Sequence, residues 1–307
     1  MIHHFRKESI SLAFVYGLTI FFVVLLSAFA VPLTIHRLGI VYPVPEEKKY
    51  LHAGYDIRAF ENIPIVAQSY LVYDSTTGTV LAERNGYIER PLASITKIMT
   101  ALTALDIAPP TKRIVVTPKS LDGGYDLGLV NKESWTLEEL LKYTLVFSSN
   151  DGAQLVADAL LGRSGFVEQM NKYAKELGLQ MTFTQPAGLD ERGLSGGTGS
   201  AYDVAKLMTI ARGVMPGILD ATTHTRTTVR SSRGPITGIP NTNQHIKDFI
   251  GAEASKTGFT DKAGGNLVIS VDPTLGKPVV IVVLGSTREA RFSDAFSLYV
   301  ALLASIR

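Results

Sequence analysis

The chain has 307 residues, of which 46% are hydrophobic and 19% charged, and its formal net charge is +2. That length holds one large domain or two small ones, and a near-neutral balance with scattered lysines and arginines argues against nucleic acid as a partner. There is no cysteine, which excludes disulfides, thiol nucleophiles and thiolate metal sites. The histidines show no metal-ligand spacing, and nothing in the sequence calls for a metal or organic cofactor.

Residues 1–10 carry Arg6 and Lys7 ahead of an apolar run, Ser11 to Val31, that contains no charge. A run of about 20 such residues is long enough to span a bilayer as a helix, and the preceding cations place the N-terminus on the cytoplasmic side. Ala28-Phe29-Ala30 resembles a signal-peptidase site. The run is longer than a secretory h-region and Pro32 follows it, which favours an uncleaved anchor over a signal peptide. Either reading puts the rest of the chain outside the cytoplasm. Residues 32–64 hold Pro43, Pro45 and the charged patch Glu46-Glu47-Lys48-Lys49. They read as a spacer, with a short ordered part near Tyr55 to Phe60.

The domain proper is expected over residues 65–307. Ser69 to Asp74 and Thr79 to Glu83 read as a hairpin across the turn Ser75-Thr76-Thr77-Gly78. Pro91 leads to a helical run, Ile98 to Leu105. Ile114 to Thr117 is a short strand, followed by the loop Asp122-Gly123-Gly124. Thr136 and Glu139 form a capping box for a helix through Val146. Asp151 to Leu161 and Phe166 to Leu177 are helical, and Ser200 with Asp203 starts another helix over Val204 to Arg212. Strands then follow at Thr225–Arg230, Ala254–Gly258, Asn266–Val271 and Val279–Leu284, before a closing helix, Phe292 to Ile306. The order is strands, helices, strands, helix. It predicts an α+β domain in which the two groups of strands join in one antiparallel sheet flanked by helices, with a helical subdomain between them.

Chemistry is suggested at three places. Ser94 and Lys97 are three residues apart, which on a helix puts an amine beside a hydroxyl on one face. A serine becomes a nucleophile only when a base removes its proton, and a lysine serves as that base only if burial or nearby positive charge keeps it partly neutral. Isolated Ser-x-x-Lys matches are mostly ordinary helix faces. Ser148-Ser149-Asn150 falls in a turn between two helices, where Ser148 could relay a proton and Asn150 could orient Lys97 or a substrate amide; Asn150 and Asp151 read equally as a helix cap. Lys256-Thr257-Gly258 lies on a strand, where a cation and a hydroxyl suit a carboxylate and glycine admits close backbone approach. Arg291 follows the last strand and could add a second carboxylate contact, or be a solvated cation.

Ser-x-x-Lys, Ser-x-Asn and Lys-Thr-Gly, once each and in this order, form the signature of penicillin-binding proteins and class A β-lactamases. The flanks Pro91–Leu102, Leu145–Ala153 and Lys256–Thr260, with Pro186-Ala187-Gly188-Leu189-Asp190 and Asn241-Thr242-Asn243, resemble the serine D-alanyl-D-alanine carboxypeptidases, the low-molecular-weight penicillin-binding proteins, over about residues 66 to 305. Gly152 and Gln185 stand where alanine and asparagine are commoner. The chain ends soon after the last helix of this region, so the resemblance does not extend to the β-rich domain and amphipathic anchor of many relatives. The N-terminal helix is expected to anchor instead.

The resemblance implies a β-lactamase/transpeptidase-like fold and a substrate ending in D-Ala-D-Ala, a peptidoglycan stem peptide. It makes Ser94 the acyl-ester nucleophile, Lys97 the general base, Ser148 the proton relay and Asn150 the orienting group. Lys256, Thr257, Gly258 and Arg291 would bind the terminal carboxylate, and the backbone N–H groups of Ser94 and Phe259 would hold the oxyanion. β-Lactams would acylate Ser94, no cofactor is implied, and the catalytic domain would work on the outer side of a bacterial cytoplasmic membrane. An endopeptidase acting on cross-links is the nearest alternative. A β-lactamase lacks support because no Glu-x-x-Leu-Asn segment follows the second motif, and an inactive wall-binding module would show a broken motif.

Overall fold

Val279–Ser286 (β12), a Val/Ile/Leu run without alternation, is buried along nearly its whole length, as befits a strand covered on both faces. A computed structural model of the chain describes residues 54–118 and 128–306, and elements are numbered along these. β12 is the middle of a five-stranded antiparallel sheet, with Gly264–Val271 (β11) and then Ala252–Thr260 (β10) on one side, and Ser69–Asp74 (β1) and then Thr79–Arg84 (β2) on the other. The two groups of strands do join, with Ser69 opposite Leu284 and Asp74 opposite Val279, but the expected strand at Thr225–Arg230 is not part of this sheet: Arg226–Ser231 pairs instead in a separate four-stranded sheet. β10 is an edge strand, so one row of its backbone groups faces away from the sheet.

One face of the sheet is covered by the closing helix Ala290–Ser305 (α7), whose Ala295, Leu298, Tyr299 and Leu302 pack on Val72, Leu267, Ile269, Ile281 and Val283. The opposite face carries the helical subdomain. At its centre lies Thr96–Ile107 (α1), buried continuously from Thr96 to Ala104; small and apolar residues on every side make it a core helix rather than an amphipathic one. Around it stand Leu137–Val146 (α2), Asn150–Leu160 (α3), Gly162–Glu176 (α4) and Ala201–Val214 (α5). Ser200 and Asp203 form the expected reciprocal capping box of α5.

Other details depart from the sequence expectations. Thr136 accepts from Glu139 N as a cap should, but the Glu139 carboxylate accepts instead from Arg230 N at 2.6 Å and Lys142 Nζ at 3.1 Å. Tertiary partners have taken the side chain that would have closed the box. The strand Gly234–Pro240, missed for its glycines and prolines, forms because it is the edge of a hairpin with Arg226–Ser231, where proline is tolerated. The last part of the expected spacer is built into the domain. Tyr55 bridges to Ile306, Asp56 N donates to Ser305 O, and the 3-10 turn Ile57–Phe60 buries Phe60 against the α7 side of the sheet. The domain thus starts before residue 65.

The expected N-terminus 1–10, the apolar run 11–31, the spacer through residue 53 and the loop Asp122-Gly123-Gly124 lie outside the described residues. Among the described residues, no helix is long and apolar enough to cross a membrane.

Candidate active site

The three sequence motifs meet where the edge strand β10 faces the helical subdomain. Ser94 sits in the 3-10 turn Ala93–Ile95 that precedes α1, so it lies one turn before the α-helix rather than within it. Ala93, just ahead of it, has φ +49°, a left-handed conformation that costs energy for a residue with a Cβ and that concentrates at functional sites. Ser148 shows the same feature, with φ +63°. Its turn is held by Ser149, which caps α3 by accepting from Gly152 N at 2.7 Å. Ser149, and not Asn150 or Asp151, is therefore the cap, which leaves the Asn150 amide available to the site.

Lys97 is fully buried. Its Nζ donates to Asn150 Oδ1 at 2.8 Å and to the Ala187 carbonyl at 2.7 Å, and lies 2.8 Å from Ser94 Oγ. A neutral amine has two hydrogens and one lone pair. Were the amine neutral, hydrogens given to Asn150 and Ala187 would turn its lone pair to the serine hydroxyl, the arrangement that proton abstraction requires. Lys256, also buried, donates from Nζ to Ser148 Oγ at 2.8 Å and to Thr257 O at 2.9 Å. Burial first, then repulsion from Lys97 and Arg291, pushes the Lys256 amine well below the ordinary lysine range.

Two glycines permit the close approaches. A Cβ on Gly258 would stand 2.8 Å from Leu92 O and 3.2 Å from Ser94 N, so its absence lets β10 lie against the turn that carries Ser94. Gly188 has φ +81°, and a Cβ there would meet Ala93 O at 1.9 Å. The loop it belongs to is tied down by Thr100 Oγ1, which donates to Pro186 O at 2.6 Å, and by Gln185, whose amide donates to Leu189 O and accepts from Ala187 N. These ties hold the Ala187 carbonyl on Lys97. Asn266 bridges in the same way, donating to Pro91 O and accepting from Gly285 N, which joins the sheet to the strand leading into Ser94.

The cleft is lined by Ser94, Ser148, Asn150, Thr257, Phe259 and Arg291, with Leu189, Thr242, Gly258 and Arg288. Thr257 Oγ1 donates to Thr242 Oγ1 at 2.7 Å. Arg291 donates from Nη1 to Gly258 O at 2.7 Å and is pushed down to about 10 by burial and by Arg288. Arg288 is exposed, with its guanidinium 4.1 Å from the centre of the Phe259 ring. An activated hydroxyl, a second lysine–serine pair and two arginines around one cleft suit acyl transfer from a substrate with a negatively charged end. Among the described residues no cluster of His, Asp and Glu is placed to hold a metal ion.

The sequence model of the family described as D-alanyl-D-alanine carboxypeptidase matches residues 57–288. The chain belongs to the D-alanyl-D-alanine carboxypeptidase family. As a member it is a serine-type hydrolase with the α+β penicillin-binding fold. It is 32% identical over 234 residues to D-alanyl-D-alanine carboxypeptidase DacF of Bacillus subtilis, a match covering 73% of this chain and 59% of that protein's length. It is also 32% identical over 242 residues to the D-alanyl-D-alanine endopeptidase of Escherichia coli, covering 75% of each. In structure it resembles penicillin-binding protein D2 of Listeria monocytogenes in its cefotaxime-bound form, with TM-score 0.66, 27% identity and coverage of 79% of this chain and 99% of the other.

Around this cleft, Ser94, Lys97, Ser148, Asn150, Lys256, Thr257, Gly258, Phe259 and Arg291, all singled out from the sequence, are brought together. Sequence reasoning assigned no role to Ala187, Thr242 or Arg288. The Pro186–Asp190 and Asn241–Asn243 segments were noticed, but a main-chain carbonyl has no residue signature. Arg288 carried no signal of its own beside Arg291.

Proposed function

We propose that the chain is a serine D,D-carboxypeptidase that removes the terminal D-alanine from peptidoglycan stem peptides. The observation that carries the reading is the Lys97 amine held on Ser94 Oγ by Asn150 Oδ1 and Ala187 O. The Ser94 oxygen attacks the penultimate D-alanine carbonyl while its proton passes to Lys97 Nζ. The resulting oxyanion is received by the backbone N–H groups of Ser94 and Phe259. Collapse breaks the peptide bond. The proton taken up by Lys97 is passed on by way of Ser148, bonded to Lys256, to the leaving amine, and free D-alanine departs; water then attacks the ester, giving one proton to Lys97, which returns it to Ser94 Oγ as the acid leaves. Thr257, Lys256 and Arg291 favour a substrate with a free terminal carboxylate.

The further elements of this reading are an uncleaved transmembrane anchor over residues 11–31 and a catalytic domain on the outer side of a bacterial cytoplasmic membrane. Residues 1–10 would remain cytoplasmic. β-Lactams are inhibitors in this reading because they imitate the D-Ala-D-Ala amide. The solved relative with bound cefotaxime supports that part. A labelled penicillin should attach to the chain and fail to attach to Ser94→Ala; labelling that survives the substitution removes Ser94 as nucleophile.

The endopeptidase reading uses the same residues and is favoured by the match to the E. coli endopeptidase, of which the chain covers a larger share than of DacF. Incubation with a D-Ala-D-Ala pentapeptide and with a cross-linked dimer separates the two. Release of D-alanine supports the carboxypeptidase; cleavage of the dimer alone supports the endopeptidase.

A further inference from the structure

The two most exposed large hydrophobic residues among those described are Leu275 at 95% and Ile250 at 78%. Both stand at the same end of the central sheet on turns that are fixed rather than floppy. Leu275 tips the β11–β12 hairpin with φ +46°, a conformation that is unfavourable for a bulky residue. Asp272 holds the turn in place, its carboxylate accepting from Gly276 N at 2.6 Å and Lys277 N at 3.1 Å. Ile250 is fixed by Tyr299, whose hydroxyl donates to Ile250 O at 3.0 Å. The two turns are joined by Asp272 N donating to Gly251 O at 2.8 Å.

The surroundings point to the occupant. α7 has only two charged residues, Arg291 and Asp294, both buried, and its outward residues Phe296, Val300 and Leu303 are 41%, 49% and 42% exposed. Phe296 lies against Phe249, the neighbour of Ile250, with ring centres 5.9 Å apart. Together with Ile250, these present on the order of 400 Å² of apolar surface, the size of the largest apolar patch on a typical monomer, which is often functional, and about half of what each partner of a stable protein complex buries. The chain outside the described residues leaves at this end. Tyr55 pairs with Ile306 at the end of α7, and Gly54 lies beside Lys277, an exposed cation next to Leu275.

We propose that this end of the sheet, with Leu275 and Ile250 as inserted tips and Lys277 at the phosphates, docks on an anionic phospholipid bilayer. The proposal rests on the reading that residues 11–31 anchor the chain. Tethering lets a small apolar patch suffice, and basic residues near an anionic surface add to it. The Ala252 end of β10 would lie at the bilayer, and Gly258 would stand about 20 Å further along the strand, which would hold the cleft off the membrane.

The absence of cysteine allows a single reporter per protein. Full-length chains carrying Ile250→Cys, Leu275→Cys or, as control, Leu194→Cys are labelled with an environment-sensitive fluorophore. They are then reconstituted in phosphatidylethanolamine/phosphatidylglycerol vesicles. Penicillin labelling checks folding, and flotation checks anchoring. The expected result is blue-shifted emission and quenching by nitroxide-labelled lipid at positions 250 and 275 but not at 194, reduced when Lys277→Glu is added. Chains that float with water-exposed labels at 250 and 275 overturn the docking and leave the anchor standing. Chains that fail to float overturn both. Shielding that grows with protein density without lipid quenching identifies a second copy as occupant and also overturns the proposal.

Discussion

At the scale of single residues, function rests on which groups share protons. Removing the amine with Lys97→Met leaves Ser94 without a base, so the rate of penicillin acylation should fall by about 10²- to 10⁴-fold while the folded circular dichroism spectrum is kept. Lys256 yields a prediction about pH. Its lowered proton affinity means that the unfolded chain binds more protons wherever the pH lies between the folded value and the ordinary lysine value near 10.4. Stability therefore rises with pH across that window, and the cost of burying the ammonium is fully present below it. Lys256→Met removes this contribution. The melting temperature of the wild-type protein should climb toward that of the variant as the pH is raised, and parallel profiles would refute the claim. Arg291, pushed down to about 10, acts in the same direction but is present in both proteins.

At the scale of elements, residues 54–64 matter most for what was expected to be a spacer. Phe60 is 7% exposed in the core beneath α7, and Phe60→Ala should cost about 3–5 kcal/mol, read as a lower urea midpoint with unchanged slope. A true spacer would show no change. The strands and helices that build the site were largely legible, because β1 and β12 carry apolar runs, α1 is apolar at helical spacing from Ile98 to Leu105 and α5 carries its own cap. The strand Gly234–Pro240 was not, since its glycines and prolines are tolerated only by virtue of a hairpin partner. Nor was the diversion of Glu139 to Arg230, 91 residues away in sequence, visible to a local pattern.

At the scale of the whole molecule, the proposed anchor over residues 11–31 and the proposed active site belong to separate stretches of chain. A protein beginning at Gly54 should leave the membrane fraction and still be acylated by penicillin at the full-length rate, as followed by fractionation and labelling. Retention in the membrane would show that residues 54–307 hold the membrane without residues 11–31. The order of serine–lysine, serine–asparagine and lysine–threonine–glycine segments was enough to point to the family, to its α+β fold and to the residues that meet in the cleft, because side-chain chemistry and hydrophobic period are written residue by residue. Only tertiary packing decided how the base is aimed. The Ala187 carbonyl reaches Lys97 from 90 residues away because Gly188 fits against Ala93 and Gln185 braces the loop. The depressed proton affinity of Lys256 likewise depends on its burial beside Lys97 and Arg291. Such features depend on distance and dehydration between segments remote in sequence, and those exist only once the core has closed.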